Sequence, residues 1–288
     1  KDQSVPIKQA LAWSVAWVTV ALLFAGGLWL YLQQTVGLAI ANQKTMEYLA
    51  GYLLEKSLAI DNVFVWLMIF SAFAIPPSLQ RKILLYGVLG AIVLRTIFIF
   101  IGAWFIQEFS WILYIFGAFL VYTGFKFLKG QGEENPNIED MALLKWLRKH
   151  IRITSSFKGD RFFVKEQGIL WATPLFVVLI LVEFSDVIFA VDSIPAIFAV
   201  TTDPFIVLTA NLMAILGLRA MFFLLAGTAS KMHYLPYGLG IILLFIGCKM
   251  LLLDVFHMPI WISLSFIVLV LGITAWLSIR HNKKQALS

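Results

Sequence analysis

Apolar residues fill most of the chain in long blocks, set apart by short stretches of Pro, Gly and charge, and within the blocks they recur on every side of a helical period. ITAWLSI, residues 273–279, is typical. A helix that is apolar all round belongs in a membrane or a deep core. Runs near the roughly 20 residues needed to cross a bilayer argue for the membrane. The pattern predicts eight spans, over about residues 10–32, 46–73, 83–107, 110–129, 168–200, 205–228, 234–254 and 260–280. The expected fold is all-α, a single polytopic transmembrane helical bundle over residues 1–288.

One long polar segment interrupts the pattern, residues 130–167, and it holds Lys145, Arg148, Lys149, Arg152, Lys158, Arg161 and Lys165. The positive-inside rule places it in the cytoplasm. Alternation then puts Arg81, Lys82, Lys231 and the C-terminal Arg280, Lys283 and Lys284 on the same side, whereas the opposite loops offer Lys44 as their clear cation. Within the segment Ile138, Met141, Leu144, Leu147 and Ile151 recur at helical spacing between basic residues. Such a helix either lies on an anionic membrane surface or packs on the bundle.

Composition agrees: 61% of the residues are hydrophobic, 15% aromatic and only 13% charged. The net charge of +6 is accounted for by the basic loops, so no nucleic-acid partner is expected. Membrane lipids are expected neighbours. The single cysteine, Cys248, excludes an intrachain disulfide framework or a multi-thiolate metal site. Asp203 before Pro204 reads as a helix N-cap and first helical residue. The chain opens at Lys1 rather than Met, which leaves room for a further N-terminal helix.

The two halves resemble each other. LGAIVLRTIFIFIG (89–102) matches MAILGLRAMFFLLAG (213–227), with Arg95 opposite Arg219, and WILYIFGAFLVYTGFKFL (111–128) matches YLPYGLGIILLFIGCKML (234–251). LLEKSLAIDNVFVW (53–66) parallels LVEFSDVIFAVDSI (181–194). Each repeat therefore holds three helices, over 46–129 and 168–254, with 260–280 as a flanking helix. Because three is odd and the joining loop starts and ends on one face, the second repeat enters the membrane inverted, as in many secondary transporters.

The candidate chemistry lies in the acids of the second and fifth spans. Each ionised side chain at a span centre costs roughly 2.5–3.5 kcal/mol. Glu55, Asp61, Glu183, Asp186 and Asp192 must therefore be compensated. Arg95 and Arg219 are expected to pair with two of them, and the surplus calls for a cation, protons or both. Glu183, Asp186 and Ser193 share a helical stripe, whereas Asp192 faces away with Ser185 unless Pro195 kinks or unwinds residues 191–195. Ser57, Asn62 and Asn211 add neutral oxygens. An all-oxygen set suits Mg²⁺, Ca²⁺ or Mn²⁺, and the histidines (His150, His233, His257, His281) fall in loops or at span ends, which disfavours zinc. A plainer reading makes the same charges salt bridges that fix helix register.

LLEKSLAIDNVFVW and EFSDVIFAVDSIPAIFAVTTDPFIVLTANLMAILGLRAMFFLLAG closely resemble the TerC family of bacterial integral membrane proteins, and the long loop resembles its Alx branch. The resemblance implies a multi-pass protein of the inner membrane that exports Mn²⁺ from the cytoplasm, with Glu55, Asp61, Asn62, Glu183, Asp186 and Asp192 as the metal site and no permanent cofactor. It also implies a further hydrophobic helix ahead of the segment near Lys8. Two rivals follow from other classes. One is a non-transporting membrane scaffold or metal sensor acting through its basic loop. The other is an intramembrane aspartyl protease, which is disfavoured because no buried Asp here follows a glycine two or three positions earlier. No enzymatic activity is therefore expected.

Overall fold

A computed structural model describes residues 6–130, 142–228 and 233–285. The described residues form α1 (Ile7–Thr35), α2 (Leu38–Ala72), α3 (Pro77–Glu108), α4 (Ile112–Leu128), α5 (Ala142–His150), β1 (Phe163–Glu166), β2 (Ile169–Ala172), α6 (Pro174–Val200), α7 (Pro204–Leu216), α8 (Leu218–Thr228), α9 (Leu235–Leu251) and α10 (Ile260–Gln285). Five helical stretches among them are long and apolar enough to cross a membrane, and α4 and α9 are shorter apolar helices. The protein is a polytopic helical membrane protein.

The chain punctuation expected from sequence is largely realised. Gly37, at φ 104°, takes a backbone conformation closed to most residues and lets α1 turn into α2. Asp203 caps α7 by accepting a hydrogen bond from the Phe205 N–H at 3.0 Å, with Pro204 as the first helical residue.

Three features depart from expectation. Residues 163–172, placed partly in a loop and partly in the fifth span, form an antiparallel hairpin instead. Its turn residues Gln167 and Gly168 both have positive φ, 53° and 80°, the geometry whose twist matches paired strands. The fifth span therefore begins at Pro174. Secondly, α6 runs helical through Pro195, so no unwound turn forms there. The sixth span breaks at Gly217, between α7 and α8.

The loop helix takes the second of its two expected arrangements. Leu144 and Leu147 of α5 are buried in one core cluster with α2, α3, α6 and α8, so α5 packs on the bundle. Ile138 and Met141 lie outside the described residues.

Helices α2 and α6 contribute to all three hydrophobic clusters and form the centre of the bundle. Around them α2 packs on α7 and α3 on α6, while α4 packs closely on α9. Glycines make that last approach possible. A Cβ on Gly117 would meet the Gly247 carbonyl at 3.1 Å and one on Gly247 the Gly117 carbonyl at 2.9 Å; Gly124 and Gly240 oppose each other in the same way, at 2.8 and 2.9 Å. The two helices thus cross antiparallel with reciprocal contacts, which is how a pair related by a two-fold axis in the membrane plane would meet.

The two ends of the bundle differ. At one, Lys82 donates to Asp160 at 3.0 Å, Tyr86 packs edge-on against Phe162, and His233 stacks on His281. At the other, Lys44 pairs with Asp203 at 2.9 Å, and Thr201 donates to Glu47 at 2.6 Å. The first end carries α5, the hairpin and most of the cations.

Candidate cation site

The acids sit where the three central helices meet. From α3, the buried Arg95 sends Nη1 to Oε2 of Glu55 on α2 at 2.9 Å, and Nη2 to Oδ1 of Asp186 on α6 at 2.9 Å. Its Nε also donates to the Asp186 carboxylate at 3.3 Å. Glu55 and Asp186 are each 1% exposed and Arg95 2%. A planar guanidinium with several donors can bridge two carboxylates from different helices in a way an ammonium cannot. The triad is therefore one reason α2, α3 and α6 hold their register.

Other polar atoms in the same interior lack partners. Oε1 of Glu55 makes no hydrogen bond, and neither amide atom of the fully buried Asn211 does, although Asn211 lies beside Glu55. Ser193, about two turns beyond Asp186 on α6, is buried with its hydroxyl unpartnered. Glu183 lies within electrostatic range of Asp186 and rests on α3, where Gly87 and Gly90 make room for it; a Cβ on Gly90 would overlap its carboxylate. Its Oε2 is buried without a partner. In hydrocarbon each such atom is costly.

The remaining candidates divide. Asn62 is buried on α2. Ser57 and Ser185 donate back to their own helix, to the Leu53 and Val182 carbonyls at 2.6 and 2.7 Å, so their hydroxyl protons are already used. The side chains of Asp61 and Asp192 lie outside the described residues; their backbones are helical, in α2 and α6. Arg219 does not join the acids as expected. It is exposed on α8 just past the Gly217 break and lines a groove against α1 and α3. Two described carboxylates thus share one guanidinium, and the third, Glu183, lies near Asp186 without a cation of its own among the described residues. Arg95 stands between Glu55 and Asp186, and among the described side chains no three acids converge as a closed metal cage.

Sequence reasoning passed over two groups. Lys56, next to Glu55, points its ammonium at the Ala214 carbonyl, 3.5 Å away at the end of α7, beside the Gly217 break. Glu47, 7% exposed, joins Lys44 and Thr201 at the opposite end. The signal for both was available: charges within the same apolar span as Glu55.

The model of the integral membrane protein TerC family matches residues 40–286. The chain belongs to the TerC family. It is 60% identical over 286 residues to a protein of Photorhabdus laumondii, covering 99% of this chain and 89% of that one, which bears the name Alx and the provisional description of membrane-bound redox modulator. The Escherichia coli K12 protein of the same name is 59% identical over 283 residues, covering 97% and 88%. A relative in Myxococcus xanthus, an uncharacterised membrane protein, is 48% identical over 273 residues, covering 94% and 82%. No solved structure matches.

Proposed function

We propose that this TerC protein is a divalent-cation transporter of the bacterial inner membrane that carries Mn²⁺ outward, in exchange for protons, through the interior between α2, α3 and α6. The observation that carries this reading is the surplus of buried acid. Glu55 and Asp186 share a single guanidinium, Glu183 beside Asp186 has no cation among the described residues, and oxygens of Glu55, Glu183, Asn211 and Ser193 are left without partners. A hard cation or protons would complete that set. Asp61 and Asp192 lie six residues beyond Glu55 and Asp186 in the same two helices. The basic end faces the cytoplasm on the positive-inside rule. The preference for manganese and for export comes from the family resemblance. The reciprocal crossing of α4 and α9 supports an inverted repeat beneath this activity.

The test is Mn²⁺ uptake into energised inverted membrane vesicles, with Ca²⁺ and Mg²⁺ as competitors. Wild type should take up more Mn²⁺ than empty vesicles. Asp186→Asn and Asp192→Asn should lose that excess at normal expression. Gly90→Ala, which displaces the Glu183 carboxylate without removing a charge, should weaken it. Uptake no greater than in empty vesicles would refute transport.

A second reading is a non-transporting scaffold or metal sensor. It is favoured by the burial of Leu144 and Leu147, which couples the basic segment to the core. On that reading, replacing Lys145, Arg148 and Lys149 by Gln abolishes function and Asp192→Asn spares it.

A further inference from the structure

A groove outside the acidic interior opens on the membrane-facing side of the bundle, between α1, α3 and α8, with a volume of about 910 Å³. That volume lies in the range of sites that enclose a whole small molecule. Its wall on α3 runs from Arg81, near the basic end, through Leu85 and Leu89 to Ile92. Eleven residues of helix make that wall about 16 Å deep. Trp13 and Trp17 of α1 form the facing side. Arg219, nine residues from the end of α8, is the other charge on the wall.

The Arg219 guanidinium, in a groove whose other lining is mostly apolar, poses a definite electrostatic demand. Among the described residues, no carboxylate pairs with Arg219, although charge at such depth is costly unless it snorkels or meets an anion. The lining supplies aliphatic and aromatic surface below and positive charge around it, which is the complement of a phosphodiester carrying acyl chains. Zwitterionic lipids fit the apolar part equally well and bring their own ammonium towards Arg219. We infer that the α1–α3–α8 groove is a binding site for one anionic phospholipid, its phosphate held by Arg219 and its acyl chains lying along Leu85, Leu89 and Ile92.

The site is independent of metal carriage. The probe is phosphatidylglycerol added to the purified full chain in neutral detergent, compared with phosphatidylcholine of the same chains and with water-soluble glycerol phosphate. Thermal unfolding reads the stabilisation. Phosphatidylglycerol should raise the melting temperature above the value in phosphatidylcholine, and glycerol phosphate should leave it unchanged. Arg219→Gln should weaken apparent phosphatidylglycerol affinity about fivefold, the effect of one cation at a membrane surface. Lys283→Gln, at the same end but outside the groove, should leave it unchanged. Brominated phosphatidylglycerol should quench tryptophan emission in wild type, and the quenching should fall in a Trp13→Phe, Trp17→Phe variant. Equal stabilisation by the two lipids, undiminished affinity in Arg219→Gln, or a matching response to glycerol phosphate would overturn the proposal.

Discussion

Among the described side chains, Arg95 joins three helices at once, from α3 to Glu55 on α2 and Asp186 on α6. It is the described cation between two nearly inaccessible carboxylates, so its removal strands both. Breaking a buried pair in this way costs about 3–5 kcal/mol. Arg95→Ala should therefore melt well below wild type when the protein is unfolded thermally in detergent. Arg95→Lys should recover only part of the loss, because one ammonium cannot serve Glu55 and Asp186 together. This triad was legible in the sequence, since charges stand out against segments as apolar as LLEKSLAIDNVFVW and EFSDVIFAVDSIP. Arg219 was not. Hydropathy shows that each arginine interrupts an apolar span, and no more. Which way a side chain faces depends on rotation about the helix axis, and an apolar helix carries no stripe to reveal it.

Among the elements, the crossing of α4 and α9 is set by backbone approach, which makes it sensitive to a single methyl group. At Gly124 the added carbon would lie 2.8 Å from the Gly240 carbonyl, and backbone cannot give way as a flexible side chain does. Gly124→Ala should lower stability by about 1–3 kcal/mol in thermal unfolding. Gly26→Ala in α1, where nothing lies within 4 Å, should not lower it. The helix pair itself was visible as matched sequences with glycine at equivalent places. The hairpin was hidden for a different reason: its second strand, ILWA, is apolar enough to read as the start of the next span. Its Gln-Gly turn lacks the usual Asn or Asp. Pro195 misled in the opposite sense, because packing on both sides holds α6 helical despite the missing donor.

Taken whole, the molecule is tied by an ion pair at each end. Lys82 holds Asp160 of the hairpin segment at the basic end, and Lys44 holds Asp203 at the other. Both carboxyls are kept below their ordinary range. Partial burial pushes Asp203 up, but the hydrogen bond and charge of Lys44 outweigh it; for Asp160 the hydrogen bond from Lys82 leads. A depressed carboxyl stabilises the fold above its ordinary pKa and loses that contribution as pH falls through the depressed value. Acidification below pH about 4 should therefore loosen the segment around Asp160, read as faster cleavage there by an acid protease. Asp160→Asn should show the loosened behaviour already at neutral pH. Because Asp160 is fully exposed, the effect should be small and should shrink with salt.

The shortness of α4 and α9 has a consequence for the lipid around them. At 17 residues each they reach about 26 Å, less than the roughly 30 Å of a typical hydrocarbon layer, whereas α3 on another side has 32 residues. The membrane next to α4 and α9 must pinch inward, at a cost of fractions of a kcal/mol per Å of mismatch. Reconstituted in bilayers of increasing acyl length, the protein should lose stability steadily, with the α4–α9 face the first to gain amide hydrogen exchange. Membrane thickness would then act on the fold from the side where two glycine-lined helices have the least length to spare.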